Sequence, residues 1–172
     1  LGLREATVFV EDRTMVESGC ADAPVDEQTL ARCTSGATFG APVLVLVGDS
    51  QAVSVHDGVV AAAGERGLAT VPIANSGCPF LADPAMGNES CRALLDGAQD
   101  AIDRLDPDVV VVANAGVRYL GADDRIPRAD GSLPRSLDDR TSSYVRSLLE
   151  RVESLRRPGR LVVVVVEAPQ GT

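Results

Sequence analysis

At 172 residues, with 45% hydrophobic and 24% charged side chains, the chain can bury one full core, so one domain of ordinary globular composition is expected. A formal charge of −9 argues against nucleic-acid binding, and 3% aromatic content argues against a sugar-stacking platform unless Phe80, Tyr119 or Tyr144 supplies it. The longest apolar runs, Ala41 to Val47 and Leu161 to Val166, are too short to cross a bilayer, and no signal-peptide pattern opens the chain.

Residues 1–40 have weak periodicity. Ala6 to Val10 reads as a short strand or a packed extension, and Val16 to Gly40 as a loop carrying Cys20 and Cys33. The expected division is an N-terminal extension over 1–40 and an α/β domain over 41–172. From Pro42 the pattern becomes regular. Val43 to Val47 is a buried strand that stops at Gly48-Asp49-Ser50. A helix follows from about Gln51 to about Arg66, with Ala52, Val53, Val55, Val59, Val60 and Ala63 on its packed side, and Gly67 ends it. Ala69 to Ile73 is a second strand, followed by the loop Ala74-Asn75-Ser76-Gly77-Cys78-Pro79. A helix from about Ser90 to about Leu105 stops at Asp106-Pro107, and Asp108 to Ala113 is the third strand. Gly121 to Leu137 is a polar loop. A helix over about 138–157 with Tyr144, Val145, Leu148, Val152 and Leu155 on one face leads into the fourth strand, Leu161 to Val166.

Alternating strands and helices, with strands apolar on both faces, specify a parallel sheet covered by helices, a flavodoxin-like three-layer α/β/α sandwich. The expected strand order is 2-1-3-4, which puts the topological switch point between strands one and three. Ser50 follows the first strand and Asn114 the third, so both should face one crevice. A serine on that turn can present its hydroxyl at the positive end of the following helix. The competing reading is that Asp49 or Ser50 merely caps the helix.

The four cysteines Cys20, Cys33, Cys78 and Cys91 lack the close spacing of a zinc site, and the lone His56 does not supply one. All four lie in polar loop sequence, which favours two disulfides over four reduced thiols. Local pairing, Cys20 with Cys33 and Cys78 with Cys91, closes each polar loop on itself. Cross-pairing would tie the N-terminal loop to the loop after strand two. No metal and no cofactor are expected. A phosphate cofactor in particular would want a Gly-x-Gly-x-x-Gly turn, which is not present here.

Gly48-Asp49-Ser50 after the first strand, Ser76-Gly77-Cys78-Pro79 after the second, and Pro107 to Val112 as the third resemble the SGNH/GDSL hydrolase superfamily. More narrowly, they resemble the extracytoplasmic SGNH domain fused to acyltransferase-3 membrane proteins of bacteria, over roughly residues 15–170. The resemblance implies Ser50 as nucleophile, an oxyanion hole from the backbone N–H groups of Ser50 and Gly77 with a third donor at Asn114, and disulfide-bonded loops. It implies an O-acyltransferase or esterase outside the cytoplasm that moves an acyl group, commonly acetyl, to or from a cell-envelope glycan. Its partners would be an acyl donor, a glycan acceptor and a membrane-embedded acyltransferase domain on the same polypeptide.

The chain departs from the family pattern in three places. Gln51 stands where a histidine usually follows the serine, Ala113-Asn114-Ala115-Gly116 replaces Gly-x-Asn-Asp, and no Asp-x-x-His motif is present. His56 is six residues beyond Ser50, about 9 Å along a helix axis, and reads as a helix-surface or supporting residue. These departures favour a different class of function, a non-catalytic glycan-binding or accessory domain. They also lead to three expectations about the 172 residues: an excised piece without the last strand-helix unit, an exposed sheet edge, and no efficient hydrolysis on their own.

Overall fold

The computed structural model describes residues 14–36, 40–82, 89–121, 126–128 and 130–166. The expected strand at Ala6 to Val10 lies outside them. In chain order the elements are α1 (Thr14–Glu17), α2 (Glu27–Cys33), β1 (Val43–Gly48), α3 (Ser50–Gly64), β2 (Ala69–Ala74), α4 (Glu89–Leu105), β3 (Val109–Ala113), α5 (Gly116–Tyr119), α6 (Leu137–Leu155) and β4 (Leu161–Val165). All four strands are parallel in the order β2-β1-β3-β4.

Alternation along the central strands divides the core into two layers. Val45, Val47, Val110 and Val112 pack with Leu95, Ala98 and Ile102 of α4, Leu155 of α6 and Leu30 of α2. Leu44, Leu46, Val111 and Ala113 pack on the opposite face with Ala52, Val53 and Ala63 of α3 and Met15 of α1. Both faces are covered, so these strands carry valine and leucine at successive positions without a polar break.

Two expectations need correction. The segment after Val16 is not all loop. Asp26 caps α2 by accepting from the Thr29 N–H at 2.8 Å, and Leu30 and Cys33 bury one side of that helix. On α6, Tyr144, Leu148 and Leu155 pack inward as expected, but Val145 is 43% exposed, and the small residues Ser143 and Ser147 are buried beside them. As the expected strand order and exposed sheet edge imply, β4 pairs with β3 alone among the described residues, and Leu161, Val163 and Val164 are exposed. An apolar run of that length reads alike in a central and an edge strand, and strand order alone separates them.

Residues 14–36 pack against this domain. Ala21 forms a parallel bridge with Ala74, and Ser35 an antiparallel bridge with Thr70. Cys20 is bonded to Cys33, and Cys78 to Cys91.

Candidate functional site

The carboxyl ends of β1, β2 and β3 lie side by side, with Gly48 in register with Ala74 on one side and Ala113 on the other. β1 can end there only on glycine. A Cβ at Gly48 would sit 1.9 Å from the Ala113 carbonyl oxygen and 2.7 Å from its carbon. The Gly48 carbonyl in turn accepts the Asn75 N–H at 3.1 Å, which ties the exit of β2 to that of β1.

Asp49 is fully buried and caps α3, its Oδ1 accepting the Gln51 N–H at 2.8 Å. The Ala115 N–H lies 3.0 Å from both carboxylate oxygens, and the Tyr119 hydroxyl donates to Oδ2 at 2.6 Å. The carboxylate therefore joins the start of α3 to the turn after β3 and to α5. Tyr119 is stacked on Tyr144, with ring centroids 6.2 Å apart and planes 9° from parallel. Of the two capping readings, Asp49 is the cap. Ser50 is the first helical residue, half-buried, and neither its hydroxyl nor its N–H makes a hydrogen bond among the described residues. Both groups stand at the positive end of a fifteen-residue helix.

After β2 the chain turns through Asn75-Ser76-Gly77-Cys78, closed by the Cys78 N–H donating to the Asn75 carbonyl at 3.0 Å. Gly77 has φ +82°, the value that the third position of a type II turn requires and that favours glycine. The Gly77 N–H makes no hydrogen bond among the described residues. The loop then runs inward through buried Pro79, Phe80 and Leu81.

Asn114, after β3, is 4% exposed. Its Oδ1 accepts the Phe80 N–H at 3.0 Å and its Nδ2 donates to the Phe80 carbonyl at 3.3 Å. This reciprocal pair fixes the orientation of the amide and leaves the second Nδ2 hydrogen without a partner among the described residues. Ser50, Gly77 and Asn114 thus follow three adjacent strands, each with an N–H not otherwise engaged. Such donors are suited to a negatively charged oxygen.

His56 differs from its expected place. It is buried, at 5% exposure, and its Nδ1 lies 3.0 Å from Asp57 Oδ1. Its face of α3 is the one that carries Ala52, Val53 and Ala63 into the core. It remains six residues, about 9 Å along the axis, from Ser50. Among the described residues no cluster of histidine, cysteine, aspartate or glutamate could hold a metal ion. Sequence reasoning missed the wider role of Asp49: the capping pattern was visible, but its partners Ala115 and Tyr119 are brought to it only by the pairing of β1 with β3.

Comparisons with known proteins place the chain in a family. No curated protein matches the chain. One solved structure, the periplasmic domain of a lipopolysaccharide acetyltransferase from Salmonella ser. Paratyphi A, matches with a TM-score of 0.61 at 15% identity, over 88% of this chain and 54% of its own. At that identity the likeness is one of fold, and the chain spans about half the length of that neighbour. The model of the SGNH domain fused to AT3 domains matches residues 19–172. With nearly the whole chain covered, and the expected α/β fold and strand order present, the protein belongs to the family of SGNH domains that are fused to AT3 domains.

Proposed function

We propose that the chain is the extracytoplasmic acyl-transfer domain of a membrane acyltransferase, with Ser50 as its nucleophile. In this reading Ser50 Oγ attacks the carbonyl carbon of an acyl donor. The N–H groups of Ser50 and Gly77, with Asn114 Nδ2, receive the charge that develops on the carbonyl oxygen. The donor's leaving group departs, and a hydroxyl of a cell-envelope glycan, or water, then takes the acyl group from Ser50. The acyl group is acetyl, as the name of the Salmonella neighbour supports. The AT3 fusion of the family supports a membrane-embedded partner domain on the same polypeptide, and the two disulfides support a compartment outside the cytoplasm. We also assign residues 1–40 to an N-terminal extension of the 41–172 domain.

The observation that carries this reading is the division of labour at Gly48-Asp49-Ser50. Asp49 takes the capping and anchoring bonds, and the Ser50 hydroxyl stays available at the helix start. A serine needs an adjacent base. His56 is the only histidine of the chain and is buried on the core-facing side of α3, six residues beyond Ser50, so we do not assign it as that base. The test is acetyl transfer by the full polypeptide with the AT3 domain attached, comparing wild type with Ser50→Ala. The variant is expected to lose transfer, and equal rates would overturn the nucleophile assignment.

The placement of His56 and the glutamine at position 51 favour a second reading, a non-catalytic glycan-binding or accessory domain. That reading predicts glycan affinity together with a Ser50 that resists fluorophosphonate labelling in the full polypeptide.

A further inference from the structure

The loop that carries Gly77 is anchored differently at its two ends. Its far end is gripped from within the domain. Asn114 holds both backbone groups of Phe80, and Arg151 of α6 donates to the Leu81 carbonyl from Nε at 3.1 Å and Nη2 at 2.8 Å. The Arg151 guanidinium also lies 4.6 Å from the centre of the Phe80 ring. The near end, Ser76-Gly77, is held from outside the sheet. There the Ser76 N–H donates to Asp22 Oδ1.

Asp22 is well placed for this bond. Its own N–H donates to the Ala74 carbonyl at 3.0 Å, next to the Ala21–Ala74 bridge, so its backbone continues the sheet beyond the end of β2. The segment before it is fixed by the Cys20–Cys33 bond and by Arg32, whose Nη1 and Nη2 donate to the carbonyls of Ser18 at 2.7 Å and Gly19 at 3.1 Å. Asp22 has φ +56°, a left-handed conformation that aspartate tolerates better than most residues.

We propose that Asp22 is a positioning residue for the oxyanion donor at Gly77. The inference rests on the serine reading given above. In a turn of this kind the peptide between Ser76 and Gly77 can flip, which points the Gly77 N–H to the opposite side, and glycine opposes that flip only weakly. Holding the Ser76 N–H on a carboxylate fixes the peptide just before the one that flips. The closing bond from Cys78 to Asn75 fixes the peptide just after it. The stapled N-terminal segment is thereby a working part of the acyl-transfer site.

The test uses the full polypeptide and steady-state acetyl transfer by wild type, Ser50→Ala, Asp22→Ala and Asp22→Asn. Asp22 is exposed, so its replacement leaves the core intact, which circular dichroism verifies. Removing an oxyanion donor outright costs about 10²–10³ in kcat, and loosening one is expected to cost about tenfold in Asp22→Ala with KM unchanged. Asp22→Asn keeps an oxygen that accepts the Ser76 N–H, and its kcat is expected to stay within about threefold of wild type. Wild-type kcat in Asp22→Ala, equal losses in the two variants, or a change confined to KM would each overturn the proposal. If Ser50→Ala is inactive and Asp22→Ala unimpaired, only the positioning role falls. If Ser50→Ala retains activity, the serine reading falls and the positioning role with it.

Discussion

Replacing Asp49 by alanine would test whether this carboxylate ties the site together. The side chain is fully buried and takes hydrogen bonds from the Gln51 N–H, the Ala115 N–H and the Tyr119 hydroxyl. Loss of the helix cap alone costs about 1 kcal/mol. The Ala115 N–H and the hydroxyl of fully buried Tyr119 would lose this acceptor, at about 1–3 kcal/mol each. The expected loss is therefore about 3–7 kcal/mol, a large part of the roughly 5–15 kcal/mol that holds a domain folded. Asp49→Asn is expected to be milder, at about 1–2 kcal/mol. Its oxygen can still serve Gln51 and Ala115, and the Tyr119 hydroxyl can rotate from donating to the carboxylate to accepting from the new amide. Urea unfolding followed by far-ultraviolet circular dichroism suits a chain without tryptophan, and the midpoint should move with the slope unchanged. A loss below about 1 kcal/mol in Asp49→Ala, or equal losses in the two variants, would refute the reasoning.

Two glycines make opposite predictions. Gly48→Ala would place a methyl group 1.9 Å from the Ala113 carbonyl oxygen, so it should prevent β1 and β3 from pairing and yield no folded protein. Gly58→Ala, in the middle of α3 with nothing within 4 Å, should stabilise by about 0.5–1 kcal/mol in the same unfolding assay. Two aspartates should titrate below the usual carboxylate range in a carbon-detected NMR titration: Asp139, held low by the Arg128 guanidinium, and Asp130, held low by the Ser132 hydroxyl and N–H. Because their folded values are depressed, the stability they contribute is present above the unfolded carboxylate range and is lost as pH falls through the folded values. Ser132→Ala should raise Asp130 while Asp139 stays low. Titration of Asp139 among the ordinary carboxylates would contradict the Arg128 contact at 2.7 Å.

The sequence by itself determined the fold class and the strand order. Valine and leucine at successive positions in Val43 to Val47 and Val109 to Val112 demand cover on both faces, and that demand, with the intervening helices, is met by a parallel sheet between helical layers. The turn residues that end those strands are also local signals: they put Ser50 after the first strand and Asn114 after the third, while Gly77 as a donor came from the family resemblance. Local signals end where a residue's role depends on a partner far along the chain. That Asp49, besides capping α3, also anchors the turn after β3 follows from Ala115 and Tyr119, sixty-six and seventy residues away. His56 has the composition of a possible surface base, but the face that α3 turns to the sheet buries it. β4 has the same apolar character as β1 and β3, and its exposure could be expected from the strand order 2-1-3-4, which puts it at the edge, but not from its own residues. Apolar periodicity is set residue by residue and can be read along the chain. The long-range partners of a capping side chain and the burial of a single polar group are set by which strands and helices become neighbours, so the tertiary structure decided them.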